Sequence, residues 1–94
     1  MEQQVQFIEV GPRDGFQSVK EYIPVPVKLR IIDALVAAGV KRMEMTSFVS
    51  PKAIPQLKDA AEVVQKTLEK HDNSEMEFYA LVPNIYGAKA ALAA

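Results

Sequence analysis

Cysteine is absent from the 94 residues. That excludes a disulfide framework, a thiolate metal site and a cysteine nucleophile within this chain, and it fits a reducing compartment. Tryptophan is absent as well, and aromatic residues make up only 7% of the chain. There is no interleaved aromatic and basic stripe of the kind on which bases stack. Charge of one sign is not in excess: 11 Lys and Arg face 12 Asp and Glu, for a net charge of −1. A field that small recruits neither nucleic acid nor an anionic lipid surface. No apolar run approaches the length of a membrane span. The opening Met1-Glu2-Gln3-Gln4 has neither the basic nor the apolar region of a signal peptide. The expectation is a cytoplasmic protein with no nucleic-acid partner and no membrane partner.

What is present is ordinary for a globular chain: 49% hydrophobic and 24% charged residues, enough for one domain at most. The hydrophobic pattern alternates between two periods. Residues 5–10 read as a short buried strand. Residues 27–38 read as a helix with Leu29, Ile32, Leu35 and Val36 on one face and Lys28, Arg30 and Asp33 off it. Pro24 and Pro26 suit its entry and Gly39 its exit. Residues 40–45 read as a second strand, carrying Glu44 and ending in Thr46-Ser47. A loop over 48–56 leads to a second helix, with Leu57, Ala60, Ala61, Val64 and Leu68 as its apolar stripe and Glu62 and Lys66 paired on the solvent side. A turn at 71–74 precedes a third strand, 76–82, and Asn84 caps a third helix from Ile85 onward. Strands alternating with helices predict an α/β fold with a parallel sheet and right-handed crossovers. The last residues, 88–94, are strong helix formers with no stop signal, and three βα units leave a parallel sheet with open edges. The pattern predicts the first three βα units of a truncated (β/α)8 TIM barrel, with residues 1–94 forming the N-terminal part of a single catalytic domain.

In a parallel α/β protein, ligands bind at the C-terminal ends of the strands. Those ends carry Gly11-Pro12-Arg13-Asp14, then Glu44-Met45-Thr46-Ser47, then Pro83-Asn84, whereas the opposite ends resemble solvated turns. Neighbours on a turn point apart, so Arg13 and Asp14 need not pair with each other. A guanidinium can polarise a carbonyl and hold a developing enolate, and a carboxylate can ligate Mg²⁺ or Mn²⁺. The plainer alternative has Asp14 capping the turn and Arg13 pairing with Glu9 or Glu44, and spacing alone favours it. Glu9 and Glu44 lie in apolar strands and need a partner when buried. His71, the only histidine, sits at a helix C-terminus and reads as structural. Lys20 reads as an exposed lysine or as an anchor for an anionic group.

The stretches Glu9-Val10-Gly11-Pro12-Arg13-Asp14-Gly15-Phe16-Gln17 and Glu44-Met45-Thr46-Ser47-Phe48-Val49-Ser50-Pro51-Lys52 resemble the 3-hydroxy-3-methylglutaryl-CoA lyase family, and Leu81-Val82-Pro83-Asn84 fits its third strand end. The Arg-Asp-Gly motif alone indicates the wider group of metal-dependent TIM-barrel lyases and synthases. The Thr-Ser-Phe-Val-Ser-Pro-Lys stretch points to the lyase branch. Phe16, Met45 and Ser18-Val19 depart from the residues more usual in that family. The resemblance implies cleavage of hydroxymethylglutaryl-CoA to acetyl-CoA and acetoacetate, a step of leucine degradation and ketone-body formation. It implies that Arg13 stabilises the acetyl enolate and that Asp14 ligates a divalent metal, Mg or Mn. It further implies that Glu44 orders the polar network around Arg13, and that Gln17, Ser47 and Lys20 lie near the acyl-CoA substrate. The family's remaining metal ligands and its catalytic cysteine have no counterpart in these residues, so the segment alone is expected to be inactive. A homo-oligomer is expected of the complete protein. The alternatives are a related lyase or condensing synthase with another acyl group, and a non-catalytic barrel fragment.

Overall fold

The computed structural model describes residues 7–50, 52–71 and 75–94, and several of its elements begin or end on a local chemical signal. Helix α1, Val25–Ala37, starts after Pro24 with Pro26 in its first turn, where a missing N–H costs nothing. It ends at Gly39, whose φ of +98° suits a residue without a Cβ. There the Gly39 N–H donates to the Val36 carbonyl at 3.1 Å and the Val40 N–H to that of Leu35 at 3.2 Å, the paired bonds of a Schellman cap. Strand β1, Arg42–Ser47, follows. A short 3₁₀ turn, Pro55–Leu57, precedes helix α2, Ala60–Lys70. Strand β2, Glu77–Leu81, leads to helix α3, Ile85–Ala93. The Asn84 side chain caps α3 by accepting the Gly87 N–H at 2.8 Å, as its sequence position predicts.

Strands β1 and β2 pair in parallel. Glu9 forms a parallel bridge with Met43, donating to the Arg42 carbonyl at 2.9 Å and accepting from the Glu44 N–H at 2.8 Å. Because Met43 also pairs with Phe78 in β2, the Glu9 segment occupies the other edge of β1. The spatial order therefore follows chain order. Helices α1 and α2 pack on one face of this sheet, and Val25, Ile32, Met43, Met45, Phe48, Ala60, Val63 and Val64 form the core between them. Burying side chains such as Ile32 or Val63 completely stabilises by about 1.5–3 kcal/mol each. The other face of β2 is open, with Tyr79 and Leu81 exposed. Among the described residues no helix is long and apolar enough to cross a membrane.

Four expectations are corrected. Residues 5 and 6 of the first expected strand lie outside the described residues, and 7–10 contribute one bridge rather than a strand, because the chain turns away at Gly11-Pro12. The second strand lies further along than 40–45: the cap of α1 uses the Val40 N–H, so pairing starts at Arg42 and runs through Thr46-Ser47. The buried face of α2 is Ala60, Val63, Val64 and Thr67, not the stripe through Ala61 and Leu68, which are exposed. Leu57 belongs to the separate 3₁₀ turn, which resets the helical phase. Finally, Lys28 faces inward and is only 1% exposed.

Candidate active site

The first functional segment is built by a single wide helical turn, Gly11–Gly15. Such π-type turns recur at functional sites. The Val10 carbonyl accepts both the Arg13 N–H at 3.1 Å and the Asp14 N–H at 2.6 Å. The Glu9 carboxylate folds back to accept the Gly11 N–H at 2.9 Å. A Cβ at Gly11 would sit 2.9 Å from that same oxygen, so glycine leaves room for the return. Glu9 is thereby engaged with its own turn, and Arg13 reaches across to β1 instead.

Arg13 Nε donates to Glu44 Oε2 at 2.7 Å, with the two side chains 22% and 23% exposed. A charge-assisted bond at that length, sheltered from water, holds a guanidinium in one place. Asp14 stands beside it: Arg13 Nη1 lies 3.6 Å from Asp14 Oδ1. The two side chains therefore face each other loosely rather than diverging, a correction to the reading of the turn. At 3.6 Å the contact is electrostatic and not a hydrogen bond, and Asp14 remains largely exposed.

A bulge in β1 decides what else shares this site. The register pairs Glu44 with Tyr79, then Thr46 with Ala80 and Ser47 with Leu81, with the irregularity at Met45. Strict alternation would set Thr46 beside Glu44. The extra residue shifts the alternation. Thr46 now pairs with Ala80, which packs into the helix-side core, while Ser47 pairs with Leu81 on the face that carries Glu44 and Tyr79. Ser47 is fully buried and its hydroxyl donates to the Leu81 carbonyl at 3.2 Å. The buried Thr46 hydroxyl has no hydrogen-bond partner among the described residues. Sequence periodicity did not reveal this bulge; in the structure it accompanies a run of three consecutive buried side chains, Met45, Thr46 and Ser47.

The other expected residues are less engaged. Gln17 is half-buried and Lys20 is exposed on the loop that follows the turn, and Lys20 forms no ion pair among the described residues. Among the described residues no three His, Cys, Asp or Glu side chains gather to hold a metal ion. Asp14 fits the role of one hard oxygen ligand by its exposure and its chemistry, not of a complete centre. His71 serves structure, as expected: its Nε2 meets Asp33 Oδ1 at 2.8 Å, and Lys70 binds the same carboxylate. Partial burial pushes the Asp33 carboxyl up, but the bonds from Lys70 and His71 outweigh it and hold the group below the usual aspartate range.

Sequence reasoning missed one cluster. The buried Lys28 ammonium donates to Asp59 Oδ1 at 2.8 Å, to Asp59 Oδ2 at 2.9 Å and to the Gln56 carbonyl. The Tyr22 hydroxyl donates to Asp59 at 2.5 Å. Burial, then the bond to Asp59, pushes the Tyr22 phenol up to about 12, so it stays a donor across the physiological range. A lysine three residues into a helix carries no sequence signal of burial, and its partner lies 31 positions away.

A parallel α/β scaffold with an arginine–carboxylate pair and a second carboxylate at the strand ends defines a protein of the strand-end-site class. Comparison with known proteins narrows the class. The family described as HMGL-like matches residues 4–94. The mitochondrial hydroxymethylglutaryl-CoA lyase of Bos taurus is 48% identical over 91 residues, covering 97% of this chain and 27% of that protein. The crystal structure of the HMG-CoA lyase from Brucella melitensis superposes with a TM-score of 0.86 at 38% identity, covering 98% of this chain and 31% of that one. An HMG-CoA lyase from Acinetobacter baumannii, solved with coenzyme A and 3-methylmalate, gives 0.82 at 38% identity over 92% of this chain and 27% of that one. The chain belongs to the HMGL-like family, and it spans between a quarter and a third of the length of these relatives.

Proposed function

We propose that the protein to which these residues belong is a carbon–carbon lyase acting on 3-hydroxy-3-methylglutaryl-CoA, and that the chain forms the first three βα units of its (β/α)8 barrel. The observation that carries the reading is the 2.7 Å bond between Arg13 and Glu44, set beside Asp14 at the strand ends. In the reaction the tertiary hydroxyl loses its proton and becomes the ketone of acetoacetate as the C2–C3 bond breaks. The electron pair goes to C2, giving the enolate of acetyl-CoA, which a proton then quenches. Arg13 supplies fixed positive charge and several donors for the enolate oxygen. A donor that is already positioned stabilises developing charge without reorganising. Glu44 is the positioning residue, because it accepts from Nε and leaves the terminal nitrogens of the guanidinium for substrate and Asp14.

Asp14 would be one ligand of a divalent ion, Mg²⁺ or Mn²⁺. When bound, such an ion supplies positive charge that polarises the substrate's hydroxyl. The remaining ligands come from outside these residues in this reading, and the segment alone is inactive. Gln17, Lys20 and Ser47 are assigned to the acyl-CoA side of the site, Lys20 through charge and Ser47 through its place on the Glu44 face. The complete protein is read as a cytoplasmic homo-oligomer. The test is acetoacetate release from 3-hydroxy-3-methylglutaryl-CoA by the complete protein with Mg²⁺ or Mn²⁺ added. Release that is metal-dependent supports the reading; no release by folded, metal-loaded protein overturns it.

A further inference from the structure

We infer that Lys28 is a positioning residue, a buried latch that locks the loop carrying Gln17 and Lys20 against the loop that follows β1. Three groups of observations place it there. The ammonium has three donors, and three acceptors meet it: both Asp59 oxygens and the Gln56 carbonyl. Its charge also lies over two rings of the first loop, 5.0 Å from the centroid of Tyr22 and 5.8 Å from that of Phe16, within cation–π range. Two further bonds join the same two loops, from the Tyr22 hydroxyl to Asp59 at 2.5 Å and from Gln56 Nε2 to the Val19 carbonyl at 2.7 Å. Phe16 and Tyr22 bracket Gln17 and Lys20 in sequence, so clamping both ends limits where the two intervening side chains can go.

Stability alone does not account for the arrangement. Replacing a buried ion pair by apolar residues of similar volume is often neutral or favourable. What an apolar pair cannot do is reproduce three directed bonds that hold one loop to the other. The Arg13–Asp14 turn is held separately, by the Val10 carbonyl and by Glu44. Loosening the latch therefore perturbs substrate placement and leaves the enolate-stabilising pair in place.

This inference rests on the reading of Gln17 and Lys20 as acyl-CoA contacts, and the experiment separates the two. In the complete protein, steady-state cleavage of 3-hydroxy-3-methylglutaryl-CoA is measured for Lys28→Met and for the apolar pair Lys28→Met/Asp59→Leu. The latch predicts a KM raised between about 10- and 100-fold, the scale of a misplaced contact, with kcat at saturation changed less than about threefold, the signature of lost uniform binding. It further predicts that the apolar pair restores the melting temperature but not KM. A merely structural role lowers the active fraction, and hence apparent kcat, at unchanged KM. Restoration of KM by the apolar pair, or a KM within about twofold of wild type in both variants, overturns the inference. If the wild-type protein does not cleave this ester, the functional reading fails and amide hydrogen exchange judges the latch by itself. Exchange over residues 16–23 at least about tenfold faster in the apolar pair, with β1 unchanged, supports it, and unchanged exchange over 16–23 overturns it.

Discussion

Replacing Glu44 by Gln keeps the volume and one acceptor oxygen at the Arg13 site but removes the charge. The bond it weakens is 2.7 Å long between side chains that are each about three-quarters buried. Hydrogen bonds to charged groups contribute about 1.5–3 kcal/mol net, and the neutral amide retains part of that, so Glu44→Gln should cost about 1 kcal/mol. Glu44→Ala should cost about 2–3 kcal/mol, because the largely buried guanidinium then keeps only the loose contact with Asp14 and has no full partner. The pairwise part is read from a double-mutant cycle with Arg13→Met, measured by urea unfolding of the complete protein. A coupling of about 1–2 kcal/mol is expected between Arg13 and Glu44. Sites that do not interact add within about 0.3–0.5 kcal/mol. A coupling inside that range would show that Glu44 does not hold Arg13, and the account of how the site is organised would fall with it.

Gly87 lies so close to Phe48 that an added Cβ would overlap the Phe48 carbonyl oxygen, and backbone on both sides cannot rotate away. Gly87→Ala should therefore destabilise by about 1–3 kcal/mol despite alanine's better helix propensity, measured as a lower urea midpoint. Thr46→Val should leave stability unchanged or raise it, since it removes a buried hydroxyl that has no partner among the described residues; a clear loss in thermal melting would reveal a bond to that hydroxyl. Asp33 is held below the ordinary aspartate value of about 3.9, so its contribution to stability is fully present above that value and disappears as pH falls through the lower folded-state value. Asp33→Asn should accordingly be less stable than wild type at pH 7, with the gap closing in strong acid; a gap independent of pH would refute the assignment.

Much of the scaffold was legible because its signals are local. Gly39 and Asn84 announce a helix end and a helix start through chemistry confined to a few neighbouring residues. The Arg13–Glu44 pair was legible as one of two options, since a carboxylate within an apolar strand needs a partner and the arginine stands at the next strand end. What stayed hidden depends on distant parts of the chain. The bulge at Met45 exists only relative to the register of β2, yet it decides that Ser47, rather than Thr46, shares a face with Glu44. Lys28 looks solvated in its own helix and is buried only because Asp59, Gln56, Phe16 and Tyr22 converge on it. The phase of α2 was misread because a 3₁₀ turn and a true helix share similar local sequence.

The central claim is that Arg13, held by Glu44, stabilises the enolate formed when the carbon–carbon bond breaks. Its most direct test is single-turnover cleavage of 3-hydroxy-3-methylglutaryl-CoA by the complete protein carrying Arg13→Lys, which keeps a positive charge but loses the planar fork of donors. Loss of a positioned oxyanion donor costs about 10²–10³ in the chemical step. The account predicts a fall of that size with melting temperature and substrate affinity close to wild type. A cleavage rate within about threefold of wild type would contradict it.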